Sequence, residues 1–400
     1  MKILYCHNHY GSSAPSGENK VFEAELDLLR QHGHEVATFT RHSDDIRRKG
    51  FVGTLQGALT TPWNPWMARA IQRKVQQFRP DVVHVHNTFP LISPAIFHAI
   101  GSSAAKVLTL HNYRLFCPAA IPVRNGRACT DCIDSHTTLP ALIHGCYRHS
   151  RIATLPLAIS VALHRIIGTW THKVDAFIAL TDFQKDLMVK AGLPAKRVHV
   201  KPNFYPGNPT PIPWKERGEY VVFAGRLSRE KGIETLIRAW ALWGADAPEL
   251  RIVGDGPLRS NLEQLAGRLS ISFLGQLPSE AAQTQIAGAK LLILPSECFE
   301  GFPMVVREAF AFGTPAAVSD IGPLPAIVRN KENGVVFAPV NPQSLAHVVR
   351  TTWHSPGLLE TLSQGARGSF EDNYTEQANY LTLMRIYAQA IDENSKKGME

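Results

Sequence analysis

Residues 296–315, "SECFEGFPMVVREAFAFGTP", include Glu300 and Glu308, the first followed by a Gly-Phe-Pro turn and the second by a Gly-Thr-Pro turn. Eight helical steps would separate these side chains by about 12 Å along a helix axis, so they cannot share a proton on one helix. Pro303 suits the first turn of a helix, which leaves Glu300 in the preceding loop and places Glu308 inside the helix. Helical side chains lean toward the N-terminus, so we expect Glu308 to point back at the helix start.

The start of that helix is a natural site for an anion. Its unpaired N–H groups and its dipole both attract phosphate. We therefore expect an anion between two carboxylates, each able to bind hydroxyl groups. A nucleoside-diphosphate sugar presents sugar hydroxyls, a diphosphate and ribose hydroxyls in this order.

This stretch lies in the second of two regions in which short apolar segments alternate with helical patterns. Such alternation predicts a parallel sheet with helices on both faces. The strand-like segments are 2–8, 35–40, 81–87, 106–112, 174–180 and 197–203 in the first region, and 220–225, 250–254, 271–275, 291–296 and 315–319 in the second. Helical patterns include 18–31, 66–78 and most of 342–394.

A proline-rich segment, "PNFYPGNPTPIP" (202–213), separates the two regions and is typical of a linker. We predict an α/β fold with two Rossmann-like domains, at 1–205 and 206–375. A C-terminal helix and tail at 376–400 would follow and is a candidate to pack on the first domain. Ligands of such sheets bind beyond the carboxyl ends of the strands, so two facing domains would form one cleft.

Positive charge is concentrated in the first half of the chain. Of the formal net charge of +8, residues 1–200 contribute +10 (23 Lys and Arg against 13 Asp and Glu) and residues 201–400 contribute −2 (19 against 21). A basic half attracts an anionic membrane or a phosphorylated lipid, although a merely solvated basic surface has the same composition. The sequence shows no base-reading module, which argues against nucleic acid as a partner.

The sequence shows no feature of a membrane-spanning or secreted protein. It has no run of 18 uncharged apolar residues, and it enters the strand-like "KILYC" directly after Met1. We therefore expect a cytoplasmic protein with neither a transmembrane span nor a signal peptide.

A second motif, "FAGRLSREKGIETL" (223–236), places Gly225 directly after a strand and two cations before or at a helix start. Arg226 and Lys231 could hold a diphosphate between them and stabilise its charge as it leaves. The alternative is that Arg226 and Lys231 are ordinary solvent-exposed cations of a surface loop, with no ligand.

These motifs, with "IVGDGPL", "FLGQLP" and "ENGVVFAP", resemble the C-terminal half of a family 4 glycosyltransferase with the two-domain GT-B fold. The order and spacing match over roughly 220–340. The N-terminal half resembles the family more loosely, through "SGENKV", "DVVHVH" and "LTLHNYRLFCP". The resemblance implies a retaining enzyme that moves a sugar from a nucleoside-diphosphate donor to an acceptor held by the N-terminal domain.

The resemblance also implies roles for individual residues. Glu300 and the following backbone amides would hold the donor sugar, and Glu308 would bind the ribose. Arg226 and Lys231 would contact the diphosphate, and Gln276 the base, without deciding between UDP and GDP. The donor-binding set is therefore Gly225, Arg226, Lys231, Gln276, Glu300, Gly301, Phe302, Pro303, Met304, Val305 and Glu308.

Two expected site residues lie in the first region. His111 follows a strand end in "LTLHNYR", where the resemblance implies contact with the donor sugar and makes His111 a catalytic candidate beside Glu300. Gly17 lies in the loop "NHYGSSAPSGENKV" (8–21) and would let the backbone approach the phosphate or the acceptor. Ser16 stands where the family often has a second glycine, so the loop departs from the family pattern at that position.

No Asp-x-Asp motif follows a strand to hold a divalent metal, so we expect catalysis without a catalytic metal. Arg226, Lys231 and the helix start would supply the positive charge that a metal otherwise provides. Two other functions stay open. A nucleotide-sugar epimerase or hydrolase would need no acceptor, and a non-catalytic sugar-binding protein would bind ligand without turnover.

Four of the six cysteines fall within thirty residues, inside an insertion at about 112–150. In a reducing compartment such a group favours a metal over disulfides, which predicts a structural zinc site. Reduced buried cysteines are the alternative. The predicted ligands are Cys117, Cys129, Cys132 and Cys146, with His136, His144 and His149 as substitutes.

The stretch 147–170, "YRHSRIATLPLAISVALHRIIGTW", is apolar with basic and aromatic ends. It is too interrupted to span a bilayer but could lie on its surface; a buried helix is the alternative. In a basic acceptor domain it favours a glycan or lipid-linked acceptor, peripheral contact with the inner face of a membrane, and a role in surface polysaccharide or glycolipid assembly.

Overall fold

The computed structural model describes residues 1–11 and 17–397. Its strands, in chain order, are β1 (Lys2–His9), β2 (Glu35–His42), β3 (Val82–Asn87), β4 (Ala105–Leu110), β5 (Val123–Arg124), β6 (Arg127–Ala128), β7 (Ala176–Ala179), β8 (Val198–Val200), β9 (Tyr220–Ala224), β10 (Glu249–Val253), β11 (Ile271–Gly275), β12 (Leu291–Leu294), β13 (Ala316–Ser319) and β14 (Gly334–Phe337).

Helices alternate with these strands. The α-helices are α1 (Gly17–Gln31), α2 (Asp44–Arg48), α3 (Gly50–Thr60), α4 (Pro65–Phe78), α5 (Ile96–Ile100), α6 (Asp131–Asp134), α7 (Leu139–His144), α8 (Arg151–Ile166), α9 (Asp182–Lys190), α10 (Ile233–Trp243), α11 (Arg259–Ala266), α12 (Ser279–Ala287), α13 (Met304–Ala311), α14 (Leu324–Ile327), α15 (Pro342–Trp353), α16 (Leu358–Asn373) and α17 (Glu376–Lys397). A 3-10 turn, Arg229–Lys231, precedes α10.

The chain divides into two compact units. The first unit comprises Met1–Pro122, Thr130–Asn203 and Asn379–Glu400, and the second comprises Val123–Cys129 and Phe204–Ala378. Each holds a six-stranded sheet, in the order β2-β1-β3-β4-β7-β8 in the first unit and β11-β10-β9-β12-β13-β14 in the second. All pairings within both sheets are parallel, which confirms the predicted α/β class with two Rossmann-like units.

The core of the first unit includes residues from its last segment. Leu383, Ile386, Tyr387 and Ala390 of α17 are buried in the same cluster as apolar side chains of β1, β3 and β4. The phenol of Tyr387 also lies 2.7 Å from Nδ1 of His84, inside that core. The expected packing of the tail on the first sheet is therefore observed.

The structure adds elements that the sequence patterns did not indicate. The strand β14 is only four residues long, and α3 carries three glycines, which lower helix propensity. The insertion expected to be irregular contains the β5–β6 hairpin and the short helices α6 and α7.

A close backbone approach fixes Gly232 in the second unit. This residue has φ of +67° and precedes α10. A Cβ atom there would lie 1.9 Å from the carbonyl oxygen of Pro295, in the loop that follows β12. Only glycine allows the start of α10 to meet this loop.

We expect Gly232→Ala to lower the free energy of unfolding by about 2–4 kcal/mol, because the substitution adds a clash to an unfavourable φ. Denaturant unfolding of both proteins measures the difference. The control is Gly357→Ala, because Gly357 has φ of +72° and no neighbouring atom within 4 Å of the added Cβ. If both variants lost about 1 kcal/mol of unfolding free energy, the result would contradict the close approach of Gly232 to the Pro295 carbonyl group.

Glu18, in the first turn of α1, is a buried carboxyl group. Burial raises its pKa to about 8, although Arg114 and a hydrogen bond from Asn87 act in the opposite direction. Its Oε1 atom has no hydrogen-bond partner within the described residues. The folded chain therefore keeps a proton on Glu18 up to about pH 8, whereas the unfolded chain loses it near pH 4.5.

Because the folded state binds the extra proton between these pH values, Glu18 lowers stability as the pH rises through this window. We expect Glu18→Gln, which is neutral at every pH, to raise the free energy of unfolding more at pH 8 than at pH 5. The same change at exposed Glu23 on the same helix is the control. An increase independent of pH would show that Glu18 is not protonated in the folded chain.

Candidate active site

The carboxyl ends of β9 and β12 lie side by side at the centre of the second sheet. The strand order reverses there, because β10 pairs with one side of β9 and β12 with the other. Open parallel sheets bind ligands at such a reversal. Gly225 and Arg226 follow β9, and the loop 295–303 follows β12.

Glu300 lies in the loop after β12 and is paired with Lys231. The Nζ atom of Lys231 lies 2.7 Å from Oε1 of Glu300, and the hydroxyl of Ser296 donates to the same oxygen. Burial disfavours ionisation of Glu300, but the ammonium group and the two hydrogen bonds outweigh it and hold its pKa below the usual value. Glu300 is therefore an oriented carboxylate at neutral pH.

Helix α13 begins one residue later than the sequence suggested. Pro303 is the N-cap residue, not a member of the first turn, and Met304 is the first helical residue. The first hydrogen bond of the helix runs from Val306 N to Pro303 O at 2.9 Å, so the N–H groups of Met304 and Val305 precede it. Pro303 has no N–H group, so its backbone cannot contribute the predicted amide contact.

Two neighbours of Pro303 shape the loop before α13. Phe302 is buried against Tyr374, with ring centroids 5.8 Å apart. Gly301 is half-buried and links Phe302 to Glu300.

Glu308 is the fifth residue of α13, so about 6 Å of helix axis separates its Cα from that of Met304. Its Oε1 atom lies 3.5 Å from the guanidinium of Arg307, and its side chain is 23% exposed. Arg307 is buried, which lowers its pKa to about 10, and it donates to the carbonyl of Phe204. Arg307 and Ser296 support the predicted carboxylates but were not predicted from the sequence.

Arg226 and Gln276 are both exposed, and each follows a strand of the second sheet, β9 and β11 respectively. Gly225 is held close to the next strand, because a Cβ at Gly254 would lie 1.9 Å from the Gly225 carbonyl oxygen. Lys231, Glu300 and Ser296 are joined by direct contacts. Arg226 and Gln276 follow the carboxyl ends of β9 and β11, and Glu308 lies in the helix that follows β12. All three therefore belong to the edge of the second sheet at which its strands end.

In the first unit, His111 comes directly after β4 and lines a pocket of that unit. Its Nε2 atom lies 2.9 Å from Nδ1 of His86, on the neighbouring strand β3. Sequence reasoning missed His86. The signal was present in "DVVHVH", where His84 and His86 alternate with valines in a buried strand.

Gly17 is the first described residue after the gap and begins α1. The rest of its predicted loop, including Ser16, lies outside the described residues. The structure therefore places Gly17 at a helix start and leaves its expected contact as a prediction.

The predicted zinc site is not supported. Cys117, Cys132 and Cys146 belong to the first unit, whereas Cys129 lies in the β5–β6 segment grouped with the second. Among the described residues, the cysteines form no group whose sulfur atoms lie close enough to share a metal ion, and His136, His144 and His149 complete none. The CxxC spacing misled because Cys129 follows β6, whereas Cys132 lies in α6 and belongs to the other unit.

One buried group in the described chain does have ligand-like spacing, namely Glu25, His84 and His86. The ammonium group of Lys201 contacts Glu25 directly, and the hydroxyl of Tyr5 donates to it at 3.1 Å. The carboxylate of Glu25 thus already binds the Lys201 ammonium group and the Tyr5 hydroxyl, which favours a hydrogen-bonded network over a metal site.

Two family models match the chain in succession. The model "Glycosyltransferase Family 4" matches residues 16–206, and the model "Glycosyl transferases group 1" matches residues 208–369. The chain is 35% identical over 201 residues to an exopolysaccharide phosphotransferase of Streptomyces coelicolor, covering 48% of this chain and 21% of that protein. It is 22% identical over 377 residues to the sulfoquinovosyl transferase SQD2 of Arabidopsis thaliana, and the match covers 89% of this chain and 67% of that protein.

The fold has solved counterparts. A crystal structure of Anabaena HepE in complex with UDP has a TM-score of 0.67 at 19% identity and covers 97% of this chain and 100% of that one. The chain spans only 21% and 45% of the length of the two curated relatives that it matches at 35% and 34% identity. The two models nevertheless match it half by half, and the chain belongs to glycosyltransferase family 4, with the GT-B fold.

Proposed function

We propose that this chain transfers a sugar from a nucleoside-diphosphate donor to a hydroxyl group of a glycan or lipid-linked acceptor, with retention of anomeric configuration, in the assembly of a surface polysaccharide or glycolipid. The observation that carries the proposal is the Lys231–Glu300 pair at the start of α13, with Glu308 one turn into the helix. The names of relatives, which include an exopolysaccharide phosphotransferase and a sulfoquinovosyl transferase, support this range of products.

The candidate site residues of the second unit have distinct roles in this proposal. Glu300 accepts hydrogen bonds from sugar hydroxyls, and Glu308 accepts them from the ribose. The N–H groups of Met304 and Val305 and the helix dipole bind the diphosphate. Lys231 has three N–H donors, so it can keep Glu300 oriented and also contact a phosphate oxygen.

The chemistry requires stabilisation of a leaving diphosphate. The acceptor oxygen attacks the anomeric carbon from the face that the diphosphate leaves, and its proton passes to a phosphate oxygen. Arg226, Lys231 and the start of α13 stabilise the charge that develops on the diphosphate, which is the task a divalent metal performs elsewhere. We therefore propose catalysis without a catalytic metal.

The first experiment is a thermal-shift screen with UDP, GDP, ADP, dTDP and their sugar conjugates, followed by assays of nucleoside-diphosphate release. Release that depends on an added acceptor supports transfer. Release without any acceptor favours an epimerase or hydrolase, and a thermal shift without release favours a sugar-binding protein. Either of these last two results would overturn the proposed activity.

Glu308→Ala is expected to weaken nucleoside-diphosphate binding at least tenfold, since it removes a charged hydrogen-bond acceptor. Glu300→Ala should chiefly lower kcat, because the sugar is misplaced while the nucleotide still binds. Isothermal titration with the nucleotide found in the screen, together with steady-state kinetics, separates the two effects.

Glu216→Ala is the matched control, because Glu216 is an exposed glutamate of the same unit. It should leave both binding and turnover unchanged. Equal dissociation constants for the wild type and both site variants would refute the assigned roles.

Two helices of the first unit expose apolar side chains on one face. Phe51, Val52, Leu55 and Leu59 of α3 are between 51% and 81% exposed, and Ile152, Leu155, Ile159 and Ile166 of α8 between 47% and 85%. The opposite face of α8 is buried, including Leu157 and Val161. Helices α3 and α8 pack against each other, so we name these eight side chains the α3–α8 surface.

The sequence around the α3–α8 surface is basic. Residues 46–80 and 139–173 contain no Asp or Glu, while Arg48, Lys49, Arg148 and Arg151 are exposed beside it. Exposed apolar stripes flanked by cations are typical of helices that lie in an anionic lipid interface. In the described part of the chain no helix has the length and hydrophobicity to cross a bilayer.

We therefore propose peripheral binding to the cytoplasmic face of a membrane, through the α3–α8 surface, near a lipid-linked acceptor. The double variant Ile152→Glu/Ile166→Glu should lose most of its binding to vesicles containing phosphatidylglycerol, because two charges would enter the apolar interface. Co-sedimentation with vesicles measures the bound fraction.

Leu381→Glu is the control, since Leu381 is 53% exposed on α17, away from these two helices in sequence. Vesicles of phosphatidylcholine alone should bind the wild type weakly, because the electrostatic attraction is missing. Undiminished binding of the double variant would contradict this membrane contact.

A further inference from the structure

The imidazoles of buried His86, on β3, and half-buried His111, directly after β4, form a pair. Their facing nitrogen atoms are 2.9 Å apart and their rings are stacked, with centroids separated by 5.1 Å. Burial, with the nearby cations and histidines, lowers the pKa of both rings well below the usual value, so both are neutral at pH 7. In a neutral pair, one nitrogen must donate and the other must accept.

Glu25 decides which ring donates. Its Oε2 atom lies 3.5 Å from Nε2 of His86, on the side of the ring that faces away from His111. Within the described residues Nε2 has no hydrogen-bond partner, so its electrostatic neighbour is this carboxylate, held in place by Lys201 and Tyr5. A lone pair on Nε2 would face a negative oxygen, whereas a proton there is attracted to it.

The proton of His86 therefore belongs on Nε2, and its Nδ1 is left as an acceptor. The hydrogen bond between the rings must then be donated by Nε2–H of His111. Because a neutral imidazole carries one N–H, Nδ1 of His111 holds an unprotonated lone pair. No described residue forms a hydrogen bond with this Nδ1 atom, and His111 lines the pocket of the first unit.

We propose that His86 is a positioning residue that fixes the tautomer of His111, so that Nδ1 of His111 accepts a hydrogen bond from a hydroxyl group of the substrate. This inference rests on the proposed function for the identity of that hydroxyl as part of a sugar or glycan. Carboxylates orient histidines in the same way at many sites, through the second ring nitrogen. Here a second histidine lies between the carboxylate and the ring that meets the substrate.

The direct test is the tautomer itself. Long-range proton–nitrogen correlation spectra of protein labelled with 15N-histidine report which nitrogen of each ring carries the proton. The His111 signals are assigned by their loss in His111→Gln. We expect a protonated Nε2 and an unprotonated Nδ1 for His111 in the wild type, and a proton on Nδ1 of His111 in the wild type would overturn the inference.

Two substitutions test whether His86 is the cause. His86→Leu removes the acceptor, so His111 should lose its fixed tautomer and kcat/KM should fall about tenfold. His86→Asn places an amide oxygen near the former Nδ1 atom, so it should restore both the tautomer and most of kcat/KM. His347→Leu, the same change at an exposed histidine of α15, is the control.

These readouts separate the inference from the proposed function. If no nucleotide sugar is turned over, the proposed function fails, yet the spectra of the wild type and of His86→Asn still test the positioning. If His86→Leu folds with an unchanged His111 tautomer, the positioning fails even though turnover stands. If His86→Leu does not fold, the wild-type spectrum and His86→Asn decide.

Discussion

The ion pair between Lys231 and Glu300 joins two loops that the rest of the candidate site depends on. Lys231 precedes α10 and Glu300 precedes α13, so one contact fixes the segments that follow two adjacent strands. Gly232 makes this contact possible, because any side chain there would collide with the backbone after β12. The positions of Lys231 and Glu300 in the candidate site are thus set by backbone packing as well as by charge.

In the first unit, buried polar groups orient the side chains that line the pocket. Its strands β1 and β3 carry histidines where apolar side chains would be expected. Glu25 of α1 and Lys201, which follows β8, join these histidines inside the core. Such a network costs desolvation and is stable only when its members are paired. Its value here is orientation, since it extends from Lys201 to a ring that lines the pocket.

Much of the fold could be predicted from the sequence, because parallel strands buried on both faces leave apolar runs bounded by polar residues. The strand β12 was placed correctly for this reason, and Pro303 located the start of α13 to within one residue. The pairing of Lys231 with Glu300, 69 residues away, could not be predicted, since it depends on how two loops meet. The cysteine spacing misled for the same reason: Cys129 is close to Cys132 in sequence but is grouped with the other unit.

The route of the chain has a consequence for how it folds during synthesis. All six strands of the first sheet lie before residue 203, yet its core is completed by Leu383, Ile386 and Tyr387. A ribosome must therefore make the whole second unit before the first can close its core, and contacts as distant as His84 with Tyr387 form last. Until then, the nascent first unit exposes the apolar groove that α17 will cover, which makes it a natural client for chaperones.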